Sequence, residues 1–124
     1  MNIVDSSGWL EYFADGPGAK NFEAPLSDSD SLIVPTIIIY EVFKVVLRES
    51  NENSALQAVA VMQKSTICKL SEKIAIAAAK LSLAFSLPMA DSIILATAKA
   101  YDATIWTQDA DFEGIKNVRY FPKQ

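Results

Sequence analysis

Short apolar runs alternate along this chain with longer stretches of helical periodicity, and turn or capping residues mark the joins. Residues 2–4 read as a β-strand stopped by Asp5-Ser6-Ser7-Gly8, after which Trp9, Leu10, Tyr12 and Phe13 predict a helix opened by a Ser or Asp cap. Asp15-Gly16-Pro17-Gly18 is a turn, followed by a weak helical segment to about Leu26 and a polar loop over residues 27–31. Residues 32–34 form a second predicted strand. Pro35 then starts a helix from its favoured first position, with Ile38, Val42, Val45 and Val46 on the apolar side. Asn53 or Ser54 is expected to cap another helix reaching about Lys64, and residues 66–70 read as a third strand. Ser71 opens a long alanine-rich helix that must end before Pro88. Residues 89–100 are a further helix in which Ala90, Ala96 and Ala100 allow close approach of a neighbour, 103–107 a fourth strand, and 118–121 a fifth.

Strands alternating with helices imply right-handed crossovers and an α/β fold, a parallel sheet between helical layers. In such sheets ligands bind outside the carboxyl ends of the strands. The chain of 124 residues is long enough for one domain with one proper core, so residues 1–124 are expected to form a single domain. No internal repeat is visible. A hydrophobic fraction of 51%, with few Gly and Pro, argues against disorder.

The single cysteine, Cys68, excludes an intrachain disulfide and a multi-cysteine zinc site, and is expected to be a small buried hydrophobe in a reducing compartment. The opening run has no basic flank, and the longest apolar stretch, residues 74–87, contains Lys80 and is too short to span a bilayer. The expectation is a soluble cytoplasmic protein without a membrane partner. A net charge of −4 is unusual for a nucleic-acid binder. Setting aside the acids Asp5, Glu41, Asp91 and Asp109, however, leaves eleven acids against eleven Lys and Arg, so the remaining surface is balanced.

Those four acids are the candidate chemistry. Asp5 and Asp109 lie just past predicted strand ends, and Glu41 and Asp91 lie early on helices. Each has an ordinary alternative: Asp5 could cap a helix, Glu41 could be solvated, Asp91 could answer a helix dipole, and Asp109 and Asp111 could serve a turn. Lys44 and Arg48 lie near the Glu41 face, available to pair with it or to meet phosphate oxygens. If the acids converge, they form a cage of hard oxygen donors suited to Mg²⁺ or Mn²⁺. With no histidine in the chain, histidine-driven RNA cleavage, a Ser-His-Asp triad and a His-bearing zinc site are excluded, and neither a Walker A loop nor a GxGxxG fingerprint is present.

Together, Ile3-Val4-Asp5-Ser6-Ser7, Glu41 early in the helix after Pro35, Pro88-Met89-Ala90-Asp91-Ser92-Ile93-Ile94-Leu95-Ala96-Thr97-Ala98 and Thr107-Gln108-Asp109-Ala110-Asp111-Phe112 carry a family resemblance over nearly the whole chain. The sequence resembles a PIN domain, and is most similar to VapC-type toxins. The resemblance implies a three-layer α/β/α fold with a five-stranded parallel sheet. It also implies a Mg²⁺- or Mn²⁺-dependent endoribonuclease working through metal-activated water, a homodimer, and a cognate antitoxin that blocks the site. By position, Asp5, Glu41, Asp91 and Asp109 would be its acidic quartet and metal ligands, with Asp111 a fifth acid. Ser6 or Ser7 and Thr107 match the supporting hydroxyl positions.

Two other readings compete. A receiver-like signalling module has this length and gathers acids at strand ends, but needs a phospho-accepting Asp after the middle strand, where residues 66–70 are followed by Ser71 and Glu72. A protein-interaction domain on the same fold would expose an apolar patch built from Trp9, Phe13, Phe22 and Phe43.

Overall fold

The structure is a computed structural model that describes all residues from Met1 to Gln124. The strands are β1 (Asn2–Val4), β2 (Ile33–Pro35), β3 (Thr66–Cys68), β4 (Thr104–Thr107) and β5 (Val118–Tyr120). The helices are α1 (Ser6–Phe13), α2 (Glu23–Leu26), α3 (Thr36–Glu49), α4 (Glu52–Met62), α5 (Glu72–Phe85) and α6 (Met89–Tyr101). Short 3₁₀ turns occupy Ala19–Phe22, Ser29–Ser31 and Ala110–Phe112.

All strand pairings are parallel, as the crossover pattern requires. The hydrogen-bonded ladders form a three-stranded sheet, β1-β4-β5, and a two-stranded sheet, β2-β3, in place of one continuous five-stranded ladder. A single parallel bridge, Asn2 with Leu32, joins them, giving the spatial order β3-β2-β1-β4-β5. The chain leaves β1 toward one side of the sheet and later returns through β4 on the other. The carboxyl ends of β1 and β4 therefore flank a topological switch point, where an open α/β sheet leaves a crevice.

The core follows from the periodicities. Ile3, Val4, Leu32, Ile33, Val34 and Ile105 are buried in the strands, and Ile38 and Val42 on α3, Met62 on α4 and Ile94 on α6 pack against them. Every residue of α6 from Asp91 to Ala98 is buried, so this helix lies inside the molecule. Ala96 makes that possible, packing with Ile93 against Ala78 of α5, whereas Ala100 is exposed. Trp9 and Phe22 are also core, so they are not available to the apolar patch considered above; Phe13 and Phe43 are half-buried.

Several boundaries differ from the sequence expectation. Pro35 closes β2 with extended backbone (φ −60°, ψ 140°), and α3 begins one residue later at Thr36. The strand after Lys64 stops at Cys68, leaving Lys69 and Leu70 exposed. The cap of α4 is Asn51, whose Oδ1 accepts the Ser54 N–H at 2.7 Å, in place of Asn53 or Ser54. Ser71 caps α5 as expected by accepting the Ile74 N–H at 3.1 Å, and Ser86 ends that helix in the left-handed conformation (φ 55°). β3 is an edge strand, so Ser71 and Glu72 after it cannot stand where a receiver-like module needs its central acid. Cys68 is buried and unpaired, with Sγ 3.5 Å from the Tyr101 hydroxyl. No single helix is long and apolar enough to cross a membrane.

Candidate metal centre

β1 delivers Asp5 to the crevice directly. Its N–H donates to the Trp106 carbonyl at 2.9 Å, continuing the pairing of Val4 with Trp106, so Asp5 comes level with Thr107 at the end of β4. Asp5 is 2% exposed. Its Oδ2 accepts from Thr107 Oγ1 and from Ser7 Oγ, both at 2.9 Å. Although Asp5 stands at the N-cap position of α1, its side chain makes no cap bond. Capping thus leaves its burial unexplained.

The two hydroxyls extend the network to the segment after β4. Thr107 Oγ1 accepts the Asp109 N–H at 2.9 Å, and Ser7 Oγ accepts the Gln108 N–H at 3.0 Å. Asp109 Oδ1 in turn accepts the Asp111 N–H at 2.9 Å, which starts the 3₁₀ turn and brings Asp111 toward the same space. Asp91, in the first turn of the buried helix α6, reaches the same space. Carboxylate oxygens of Asp91, Asp109 and Asp111 lie within 4.8 Å of one another.

A cleft of about 550 Å³ contains Asp5, Ser6, Ser7, Glu41, Asp91 and Asp109. The quartet is therefore brought together, with Asp111 beside it. Glu41 comes from α3, and its Oε1 is buried without a hydrogen-bond partner. Lys44 and Arg48 are not in this cleft: Arg48 pairs with Glu49 at 3.2 Å on the exposed face of α3, and Lys44 Nζ lies 5.6 Å from the centroid of the Tyr40 ring. Helical spacing placed them near Glu41 but could not show that α3 turns them outward. Gln108, Tyr120, Lys123 and Leu10, which sequence reasoning did not select, also line the cleft. Gln108 sits inside the Thr107–Asp109 motif and could have been noticed; nothing local marks Lys123 or Tyr120.

Like charges in a buried space resist ionisation. Burial pushes the Asp91 carboxyl up to about 8, helped by the Asp109 and Asp5 charges. Burial also raises Asp5, against the opposing hydrogen bonds from Thr107, Ser7 and the Ser6 N–H. Glu41 is raised by burial and then by Asp5, while the Ser6 hydroxyl pulls it down. The donor set is entirely carboxylate oxygen, with one orphaned buried acceptor and three oxygens at mutual chelating distance. It fits a hard divalent cation such as Mg²⁺ or Mn²⁺.

The fold is shared with several solved proteins. A toxin–antitoxin complex chain from Klebsiella pneumoniae is 23% identical, with a TM-score of 0.81 over 98% of this chain and 99% of that one. VapC20 from Mycobacterium tuberculosis, a Sarcin-Ricin loop cleaving toxin, is 13% identical, with a TM-score of 0.75 over 96% and 99%. VapBC2 from Rickettsia felis, bound to a fragment of its promoter DNA, is 15% identical, with a TM-score of 0.74 over 99% and 98%. No curated protein matches the sequence significantly. The PIN domain family model matches residues 3–118, a span that starts in β1, ends in β5 and includes every acid of the cleft. With strand order, switch-point crevice and sequence in agreement, this chain belongs to the PIN domain family.

Proposed function

We propose that this protein is a Mg²⁺- or Mn²⁺-dependent endoribonuclease and the toxin of a toxin–antitoxin pair. The observation that carries the reading is the convergence of Asp5, Glu41, Asp91 and Asp109 in one cleft, with Asp111 at its edge. Asp5, Asp91 and Asp109 would hold the ion, with Glu41 and Asp111 completing the set. When bound, such an ion supplies the positive charge that makes an attacking water acidic and offsets charge gathering on the phosphate. Asp5, fixed by two hydroxyl donors, keeps its geometry without needing to move. Asp91 holds a proton near neutrality and releases it when positive charge arrives. Glu41 Oε1, which has no donor, is the acceptor available to take a proton from water.

The partner proposal rests on a second feature. An apolar groove of about 680 Å³ runs between α1, α3 and α4, lined by Leu10, Phe13, Val45, Val46 and Val61 among others, and Leu10 also lines the acid cleft. An antitoxin segment with an apolar face lying in this groove would reach the acids. Homodimer formation is supported by Leu83, 87% exposed, and Ile76, 55% exposed, which lie seven residues apart on the outer side of α5. The unpaired Cys68 suits a reducing cytoplasm.

The deciding experiment incubates the purified protein with single-stranded and structured RNA, with and without Mn²⁺, beside Asp5→Asn and Asp91→Asn. Cleavage should require the ion and be lost in both variants. Metal-independent cleavage, or full activity in both variants, would overturn the proposal.

A further inference from the structure

Thr107 does more than hold the acids. Its hydroxyl donates to Asp5, and its carbonyl accepts the Phe121 N–H at 2.9 Å, which ties the segment after β5 to the same strand end. The Phe121 ring packs against Phe22 and Trp106, with centroids 5.6 and 6.1 Å away. Pro122 follows, its backbone φ fixed by the pyrrolidine ring. Lys123 therefore stands two residues beyond an anchored aromatic, and it lines the acid cleft. It also lines a second cleft of about 290 Å³, which shares Ser7, Leu10 and Gln108 with the first.

In the lining of either cleft Lys123 is the one cation, against Asp5, Glu41, Asp91 and Asp109 in the first and Glu11 in the second. Despite those acids it forms no ion pair: Arg48 with Glu49 is the only one in the structure. A divalent ion offsets the charge of the acids and of the phosphate it meets, but the neighbouring phosphates of a bound strand still call for a cation. Lys44 and Arg48 do not supply it, because they lie outside both clefts.

We propose that Lys123 is a phosphate anchor for the RNA strand: its ammonium pairs with a backbone phosphate flanking the one at the acids, at the junction of the two clefts. This rests on the ribonuclease reading above. Such a contact is ionic and made to the backbone, so it adds affinity and register but carries no base preference. Because the ammonium has no carboxylate partner, no existing pair must break before the strand arrives.

Two measurements on the full chain test this. In the first, binding of end-labelled single-stranded octamers, oligoadenylate and oligouridylate, is read by fluorescence anisotropy in Ca²⁺ over a series of salt concentrations. Each phosphate neutralised on a single strand contributes about 0.7 to the slope of log affinity against log salt, so Lys123→Gln should lower the slope by about 0.7 and weaken binding roughly fivefold at low salt, equally for both octamers. Lys123→Arg should restore both. Lys64→Gln removes the same charge from an exposed position outside both clefts and should leave the slope intact. The proposal is overturned by a parent that shows no saturable binding, by an unchanged slope in Lys123→Gln, by a loss with one octamer only, or by an equal loss in Lys64→Gln. In the second, Mn²⁺-dependent cleavage is followed: Lys123→Gln should raise KM by roughly fivefold and change kcat by less than about twofold, at the parent's melting temperature. A fall in kcat at unchanged KM would put Lys123 in the chemistry and end its role as an anchor. RNA bound with the predicted slope but never cleaved removes the ribonuclease reading and leaves the anchor standing. Cleavage with slope and KM untouched by Lys123→Gln does the reverse.

Discussion

Thr107 Oγ1 donates to Asp5 Oδ2 at 2.9 Å across the paired ends of β4 and β1, and the same oxygen accepts the Asp109 N–H at 2.9 Å. One buried hydroxyl thus fixes two acids that are 104 positions apart in the chain. Thr107→Val keeps the shape of the strand end and removes both bonds. It should destabilise the fold by about 1–3 kcal/mol, because Asp5 loses a donor where water cannot replace it. It should also weaken Mn²⁺ binding by roughly 10–100-fold, as expected when a carboxylate's orienting partner is lost. Thr107→Ser should recover most of both. Calorimetric Mn²⁺ titration and thermal melts measure the two effects; a Thr107→Val protein that binds Mn²⁺ as tightly as the parent would show that the hydroxyl does not orient the cage.

The crowded carboxyls make stability depend on pH with an unusual sign. Asp91 ionises near its ordinary value of 3.8 when unfolded and at about 8 when folded, so folding takes up a proton between those values. Asp5 and Glu41 are raised as well and contribute in the same direction. The folded state then binds more protons than the unfolded one, and stability without divalent ions falls as pH rises from about 4 to about 8. Melting temperatures in chelator should be higher near pH 5 than near pH 8, Asp91→Asn should flatten the slope, and saturating Mn²⁺ should oppose it. A melting temperature that climbs with pH in chelator would contradict the raised carboxyls.

Most of this architecture was legible because it depends on local alternation. The periodicity at Ile38 and Val42, the cap at Ser71 and the helix stop before Pro88 are short-range signals, and they placed the helices within a few residues. The acids at Asp5 and Asp109 were legible because strand ends in an α/β chain have a defined polarity. The expected pairing of Lys44 or Arg48 with Glu41 is absent because a helix spacing of three or seven residues leaves the direction of a long side chain open, and Arg48 found Glu49 instead. Lys123 and Tyr120 could not be found at all, since they reach the cleft only through the pairing of β5 with β4.

The displaced helix cap offers a clean check on local reasoning. Asn51 has extended backbone (φ −158°, ψ 172°) and its side chain accepts the Ser54 N–H, whereas Asn53 is an exposed residue of the first turn of α4. Asn51→Ala should therefore cost about 1 kcal/mol, and Asn53→Ala should change stability by no more than about 0.5 kcal/mol. Chemical denaturation of the two variants distinguishes them, and equal losses would mean that the cap has been misplaced.

Asp111 is exposed, yet its carboxylate lies within 4.8 Å of Asp91 and Asp109, and its charge is one of the smaller influences raising Asp91. An exposed carboxylate is well solvated, so neutralising it removes little from the fold but does remove one potential oxygen ligand and one repulsive charge. Asp111→Asn should leave the melting temperature in chelator nearly unchanged, and Mn²⁺ affinity should fall by a smaller factor than in Asp91→Asn. Fewer protons should be released on Mn²⁺ binding near pH 7, because with one charge gone Asp91 is easier to ionise beforehand. Proton release is read by repeating the calorimetric titration in buffers of different ionisation enthalpy. If Asp111→Asn matched the parent in both affinity and proton release, Asp111 would belong to the turn after β4 and not to the metal centre.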